Sequence, residues 1–258
     1  MSETLADDPK TKLEVMRRFD EEVFKFDVER TAAGYRLRHR LVKNLFDKEI
    51  RSGAIALDQG CGTGEYTLAL AKAGFDVVGG DFSKSMLEVA RSKVRKEHRR
   101  VAERIHLIRL ESTKLPFQNK SFDTATCIAL LDCVPDPFRL LIETGRVLKR
   151  QAKLIACVDA TWNPYRKAQL VATCGNRYNR IRGSRELQHK LRASGFVVRK
   201  FFGDFLLAQV VSDLLFDPNA RVLANRILKA TQPFDSLLTN LPLLKFLSAH
   251  YIIEARKK

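Results

Sequence analysis

Eleven residues, Ala54-Ile-Ala-Leu-Asp-Gln-Gly-Cys-Gly-Thr-Gly64, constrain the fold of this 258-residue chain more than any other stretch. A short apolar run ends in Asp58, and three glycines alternate with Cys61 and Thr63. A helical pattern, Glu65-Tyr-Thr-Leu-Ala-Leu-Ala71, begins at once. That order predicts strand, tight turn and helix. Glycine at alternate positions removes side chains where backbone must meet a ligand and where φ must turn positive. The turn amides and the first N–H groups of the helix lack partners within it, so they point into the space above the strand end.

From Gly53 onward the pattern alternates. Strands are expected at 54–58, 75–80, 105–109, 122–128 and 152–158, with helices at 64–73, 83–100 and 136–149 between them. A helix at 185–193 and strands at 196–202 and 249–255 follow. Alternation of this kind implies a mostly parallel, doubly wound α/β sheet. The core therefore runs from 53 to 203. Before it, residues 1–52 form a helical extension. One amphipathic stretch is Thr11–Arg30, and a second is Ala32–Ile50, with Leu37, Leu41, Leu45 and Phe46 on one stripe and Arg36, Arg38, Arg40 and Lys43 opposite. This extension serves either as a lid on the site or as outer-layer packing. After the core, residues 204–248 are a helical insertion, and 249–258 are the final strand and a basic tail.

The formal charge is +16 and the pI about 9.9, which points to an anionic partner, either nucleic acid or a membrane surface. The five cysteines are odd in number and lack Cys-x-x-Cys spacing, so they read as free thiols in a reducing compartment, with no metal site expected. The first residues, MSETLADDPK, are polar and acidic, unlike a secretory signal. No apolar run approaches the ~18 residues of a membrane span. A cytoplasmic chain is expected, with contact at a membrane periphery.

A dinucleotide fingerprint, Gly-x-Gly-x-x-Gly, would need glycine where Glu65 stands. The spacing from Asp58 to Gly64 instead resembles the first motif of the class I S-adenosylmethionine-dependent methyltransferases, Asp-x-Gly-x-Gly-x-Gly. Asp81 ends the next apolar run at about the spacing expected of a ribose-binding acid. Asp81-Phe-Ser-Lys-Ser-Met86-Leu87 is similar to the family's second motif, in which the positions of Phe82 and Met86 flank adenine. Glu111-Ser-Thr-Lys-Leu-Pro-Phe117, followed by Ser121-Phe-Asp123, resembles a third, in which an acid reads the adenine amino group; here that acid is Glu111, with Ser112 beside it.

The resemblance implies a Rossmann-like sheet of seven strands, mostly parallel with an antiparallel last strand. It also implies S-adenosyl-L-methionine as methyl donor. The expected cofactor set is Asp58, Gly60, Cys61, Gly62, Thr63, Gly64, Asp81, Phe82, Met86, Glu111, Ser112 and Cys127. The chain departs from the family at Glu111, at Asp132-Cys133 (often Glu-His) and around Lys149-Arg150-Gln151, since Arg146–Ile155 resembles Arg-Val-Leu-Lys-Pro-Gly-Gly-x-Leu but lacks its Pro-Gly-Gly turn.

Acceptor-side candidates lie past the fourth and fifth strands: Asp132, Asp159 and Tyr165. The stretch Asp159-Ala-Thr-Trp-Asn163-Pro164 resembles a loop of members that act on small or lipid-like acceptors. The first expectation is therefore methyl transfer to such an acceptor. A second is the same chemistry on RNA or protein, docked through the basic run Arg91–Arg100, although that run lacks aromatic residues for stacking bases. A third is a cofactor-binding subunit without catalysis. His39, His98, His106, His189 and His250 show no ligand spacing and receive no role.

Overall fold

The amphipathic pattern of the second N-terminal stretch forms a helix, α1, described over Ala33–Phe46. The core then unfolds in order as β1 (Ile55–Gln59), α2 (Glu65–Ala73), β2 (Asp76–Asp81), α3 (Lys84–Arg95), α4 (Arg99–Ala102), β3 (Ile105–Arg109), β4 (Phe122–Ile128), α5 (Pro137–Val147) and β5 (Leu148–Asp159). The last elements are α6 (Ser184–Ala193), β6 (Phe196–Asp204) and β7 (His250–Lys257). The computed structural model describes residues 17, 20–21, 23, 33–46, 53–159, 184–204 and 250–258. The expected insertion at 204–248 and most of the first N-terminal helix lie outside the described residues.

The seven strands make one sheet in the order β3-β2-β1-β4-β5-β7-β6. All neighbours pair in parallel except β7, which runs antiparallel to both β5 and β6. This is the doubly wound sheet with one reversed final strand that the sequence implies. Each face carries its own apolar layer. On one, Leu57, Ala125, Leu154 and Tyr251 meet Leu140 and Leu141 of α5 and Leu187 and Leu191 of α6. On the other, Ala56, Ile155, Cys157 and Ile252 meet Val42, Leu45 and Phe46 of α1 and Leu70 of α2. Lys153, buried on the second face, donates to the Leu45 carbonyl at 2.7 Å. A cation at the carbonyl end of α1 is favoured by the helix dipole, and it fixes α1 to the sheet.

Two expected elements differ. A single helix at 83–100 becomes two, because His98 leaves helical geometry (φ −58°, ψ 140°) and its ring accepts the Arg100 N–H, starting a new turn. The helix expected at 136–149 stops at Val147, and β5 begins immediately rather than at 152. Its N-terminus is as legible as its end is not: Asp136 accepts from Arg139 N–H and Pro137 takes the first turn.

The early start of β5 creates a bulge. Pairing with β4 jumps from Phe122↔Leu148 to Thr124↔Lys153, and the extra residues are turned by Gln151 at φ 62°. The family that the sequence resembles often has a Pro-Gly-Gly turn in this segment, and this chain does not. A side chain in the left-handed region costs roughly 1–2 kcal/mol, and glycine gives back about 0.5–1 kcal/mol in unfolded-chain entropy. Gln151→Gly should therefore stabilise the fold by about 0.5–1 kcal/mol. Urea unfolding would register this as a raised midpoint with an unchanged slope; a lowered midpoint would contradict it.

Candidate functional site

The loop between β1 and α2 holds its shape through left-handed glycines: φ is 72° at Gly60, 53° at Gly62 and 84° at Gly64. A Cβ on Gly60 would stand 2.8 Å from the Leu130 side chain, and one on Gly64 would stand 3.0 Å from Ala90. Larger residues therefore meet both a backbone penalty and a clash. Gly64 is also the N-cap of α2 and supplies no side-chain acceptor. The first N–H groups of α2 thus face the sheet edge without a side-chain cap, as an anion-binding helix start requires.

Strand β2 holds this loop. The Gly80 carbonyl accepts from Gly60 N–H at 2.8 Å and Cys61 N–H at 3.0 Å. Asp81, 6% exposed, accepts Gly62 N–H at 2.8 Å on one oxygen and Ser83 N–H at 2.9 Å on the other. Burial pushes the Asp81 carboxyl up and the nearby Asp58 carboxylate adds to this, while the Ser83 and Gly62 amides pull it back. Each carboxylate oxygen keeps a second lone pair, so Asp81 can still accept from hydroxyls at the strand edge. Ser83, as the sequence suggests, is the N-cap of α3 and accepts Met86 N–H at 3.1 Å.

The other expected cofactor residues divide into two groups. Asp58 is buried beneath the loop, where Thr67 donates to it at 2.6 Å and Thr126 at 2.7 Å, so it acts as a strut between β1, α2 and β4. Cys127 is wholly buried within β4 and belongs to the core; burial pushes its thiol far above the usual range. Thr63 is buried in the loop and accepts from Lys93 of α3 at 3.1 Å. Met86 and Cys61 are buried as well, and burial followed by the Asp58 and Asp81 charges raises the Cys61 thiol. Phe82 is partly exposed beside Asp81, and its carbonyl accepts from Arg109. Glu111 is exposed, with Thr113 donating to it at 2.9 Å; Ser112 is nearly buried, and its carbonyl accepts from Gln59 at 3.0 Å.

Past β4 the chain turns sharply at Ala129, a non-glycine residue at φ 54° whose N–H reaches the Cys157 carbonyl. Strained backbone of this kind collects at functional edges. The turn tucks Leu130 under Gly60 and buries Asp132 to 8% exposure. Asp159 is the last residue of β5, and its side chain, like Tyr165, falls outside the described residues.

Several residues of this edge escape a sequence reading. Gln59, fully buried, accepts from Thr144 at 2.7 Å while donating to Ser112, joining β1 to α5 and to the loop after β3. Asp20 accepts from Ser83 Oγ and from Ser85 N–H; burial raises its carboxyl but these bonds outweigh it and hold the carboxyl low. Arg146 donates to the Leu115 and Phe117 carbonyls and to Glu143, which in turn accepts Leu115 N–H at 3.0 Å. No local pattern announces these contacts, because every partner except Glu143, three residues before Arg146, is distant in sequence.

Residues 57–156 match the family model described as a methyltransferase domain. The demethylmenaquinone methyltransferase of Lactiplantibacillus plantarum is 39% identical over 127 residues, covering 48% of this chain and 52% of that protein. That of Staphylococcus saprophyticus is 36% identical over 127 residues, covering 48% and 51%. The chain spans about half the length of the curated relatives it matches. Among solved structures, a putative methyltransferase of Haloferax volcanii complexed with the activator Trm112 superposes at TM-score 0.65 with 16% identity, over 93% of this chain and 97% of that one. A geranyl diphosphate methyltransferase bound to GPP and sinefungin gives 0.61 at 15% identity, over 87% and 78%. The [4+2]-cyclase SpnF gives 0.59 at 21% identity, over 85% and 80%. These likenesses are of fold, and the presence of a cyclase among them shows that the fold alone does not name a reaction.

Two outcomes follow from the geometry. Asp81→Asn would set an amide donor against either Gly62 N–H or Ser83 N–H, so unfolding free energy should fall by about 1–3 kcal/mol; unchanged stability would remove Asp81 as the clasp of the loop. Arg146 hydrogen bonds hold the Glu143 carboxyl below its ordinary 4.5, with burial opposing them. A lowered folded-state value stabilises fully above the unfolded value and is lost as pH falls through the folded one. Thermal melts from pH 6 to 3 should show an acid limb that Glu143→Gln flattens; an identical limb in both proteins would contradict this.

Proposed function

We propose that this chain, whose residues 57–156 form a class I S-adenosylmethionine-dependent methyltransferase domain, moves a methyl group onto a small, lipid-like aromatic acceptor of the demethylated naphthoquinol type. S-adenosylmethionine is the donor of such domains. The single observation that carries the reading is the loop of left-handed glycines and the uncapped start of α2, clasped to the buried Asp81. The acceptor class is supported by the demethylmenaquinone methyltransferases among the relatives.

The residues present fit the donor. The bare backbone of Gly60–Gly64 and the first N–H groups of α2 suit its amino-acid end, and the remaining lone pairs of Asp81 suit its ribose hydroxyls. The partly exposed Phe82 next to Asp81 and the buried Met86 suit an apolar wall for the base, and Glu111 and the Ser112 N–H suit its amino edge. Asp58 and Cys61 shape the loop from below, and Cys127 belongs to the strand beneath. The bound sulfonium supplies a methyl group that is already activated. The protein's share is alignment, which can account for roughly 7–11 kcal/mol of a barrier. Asp132, in the turn after β4, and Asp159, the last residue of β5, belong to the edge at which these strands end, where an acceptor would be met.

The basic surface supports a partner at a membrane more than RNA. A groove of about 350 Å³ between α1, α2 and α3 brings Lys43 together with Lys93 and Lys96 of the basic run Arg91–Arg100. Its lining has Glu65 and Glu97 among the lysines and no aromatic residue except His39, so it offers charge without a stacking platform for bases. Among the described residues no helix is long and apolar enough to cross a membrane. The chain works at a membrane periphery, from the cytoplasmic side.

Incubation of the protein with methyl-labelled S-adenosylmethionine and a short-chain demethylated naphthoquinol, with RNA and protein extract in parallel, tests this function. Label should enter the quinol; label in RNA or protein, or donor binding without transfer to any of them, would overturn it. By calorimetry, Asp81→Ala should weaken donor binding by about 1.5–3 kcal/mol. Unchanged affinity would remove the ribose assignment.

A further inference from the structure

The groove between α1, α2 and α3 gathers more positive charge than its own carboxylates balance. Lys43 lines it from α1, Lys72 from α2, and Lys93 and Lys96 from the end of α3, against Glu65 and Glu97. Like charges repel, so such a gathering needs a cause. Part of it is local: Lys43, Lys72 and Lys93 stand in the last turns of their helices, whose carbonyl ends favour a cation. The two glutamates account for two of the four lysines. Lys72 reaches Glu97 at 2.6 Å, while Lys93 donates to Thr63 Oγ1 at 3.1 Å and stands 3.7 Å from Glu65. Among the described residues, the ammonium groups of Lys43 and Lys96 meet no carboxylate and make no hydrogen bond.

Each ammonium carries three N–H donors and no acceptor, so an oxyanion fits these two lysines and a cation does not. Leu68 and Ala69 of α2 line the same groove between the charged residues. That lining suits a phosphate ester with an apolar remainder better than a bare ion. His39 contributes the one ring, and it packs against Tyr66 with centroids 5.3 Å apart. A strand of nucleic acid needs a row of stacking platforms, which this lining lacks. Beyond the groove the basic run continues through the exposed Arg95, Arg99 and Arg100. Positive charge spread around a basic groove matches a broad anionic layer, to which each lysine or arginine near the surface adds attraction.

We propose that this groove is the membrane-contact site of the protein, where Lys43 and Lys96 hold the phosphate of an anionic phospholipid headgroup. The inference rests on the reading of a lipid-like acceptor met at a membrane periphery, and it names the surface through which that meeting occurs. The headgroup phosphate balances the two lysines that the glutamates leave over. Lys93 stays with the donor loop through Thr63, so the contact with lipid leaves the methyl-donor site intact.

Sedimentation with vesicles tests the proposal on the full chain. Wild-type protein should pellet with mixed phosphatidylcholine–phosphatidylglycerol vesicles and stay in solution with phosphatidylcholine alone, and the bound fraction should fall as salt rises. Lys43→Gln/Lys96→Gln should lower the partition about 25-fold, near five-fold for each charge removed, with the melting temperature and the dissociation constant for S-adenosylmethionine retained. A control removes the same charge from the other face: Lys120 and Lys258, whose amides bond to the Arg146 and Gly195 carbonyls there. Lys120→Gln/Lys258→Gln should leave the partition nearly unchanged. Should the first pair melt early, Lys96→Glu alone carries the same comparison.

Equal losses in the two pairs, or no loss in the first, would overturn the site, as would wild-type protein that ignores the mixed vesicles. Release from those vesicles by inorganic phosphate, beyond the effect of chloride at equal ionic strength, would assign the groove to free phosphate and overturn the lipid occupant. Capture of single-stranded RNA that needs Lys43 and Lys96, without vesicle binding, would overturn it too. None of these measurements uses the acceptor. If the quinol stays unmethylated while partition depends on the two lysines, the acceptor reading fails and the membrane site stands.

Discussion

The site depends on β2 more than on the glycine turn itself. Backbone with left-handed glycines at three alternate positions has little reason to stay in one conformation, because glycine has the most freedom to lose. Here the Gly80 carbonyl takes two loop amides, and the Asp81 carboxylate takes a third together with the amide of Ser83. The same carboxylate thus fixes the loop and the start of α3 before any ligand arrives. Its burial is costly for a charge, and the amides offset that cost only in part, which is why the carboxyl sits above its ordinary range. A nucleoside hydroxyl would add donors to a group already short of solvation. That makes a strained resting state into a useful one.

Beneath the loop, Asp58 is a second buried carboxylate with a different task. Its oxygens are occupied by Thr67 and Thr126, which belong to the helix after the loop and to the strand beside it. The acid that looks like a ligand in the motif is thereby a fastener. The distinction matters for the electrostatics, because its charge is among the influences that raise both Asp81 and Cys61. Two carboxylates stacked under one loop lend the space above it a negative bias, suited to a cationic sulfonium.

The sheet was legible because its signal is local. Alternating strand and helix patterns separated by turn residues place all seven strands to within a few residues, and the glycine spacing locates the site. Helix ends proved harder where a side chain decides them, as His98 does by capping a new turn. The bulge at Gln151 was invisible because no propensity favours a left-handed glutamine; register with β4 imposes it. Cys127 shows the opposite case. Its motif position lies near the cofactor edge, but strand periodicity turns its side chain into the core. Gln59, Asp20 and Arg146 act through partners far away in sequence, and pairing of that kind is written only in the fold.

The reversed strand carries the most consequence for chemistry. In a wholly parallel sheet, the edge that binds ligands receives only strand C-termini, and each strand must then leave through a loop that also covers the site. Reversal of β7 lets the chain enter the sheet at that edge, so a residue at the strand's beginning lies where the parallel strands end and is anchored by pairing on two sides. His250 inherits that rigidity. A group carried on a loop has to be ordered when a ligand binds, whereas one fixed by two ladders is in place beforehand, without a reorganisation cost. The antiparallel strand thus does more than close the sheet: it brings its own first residue to the edge where the parallel strands end.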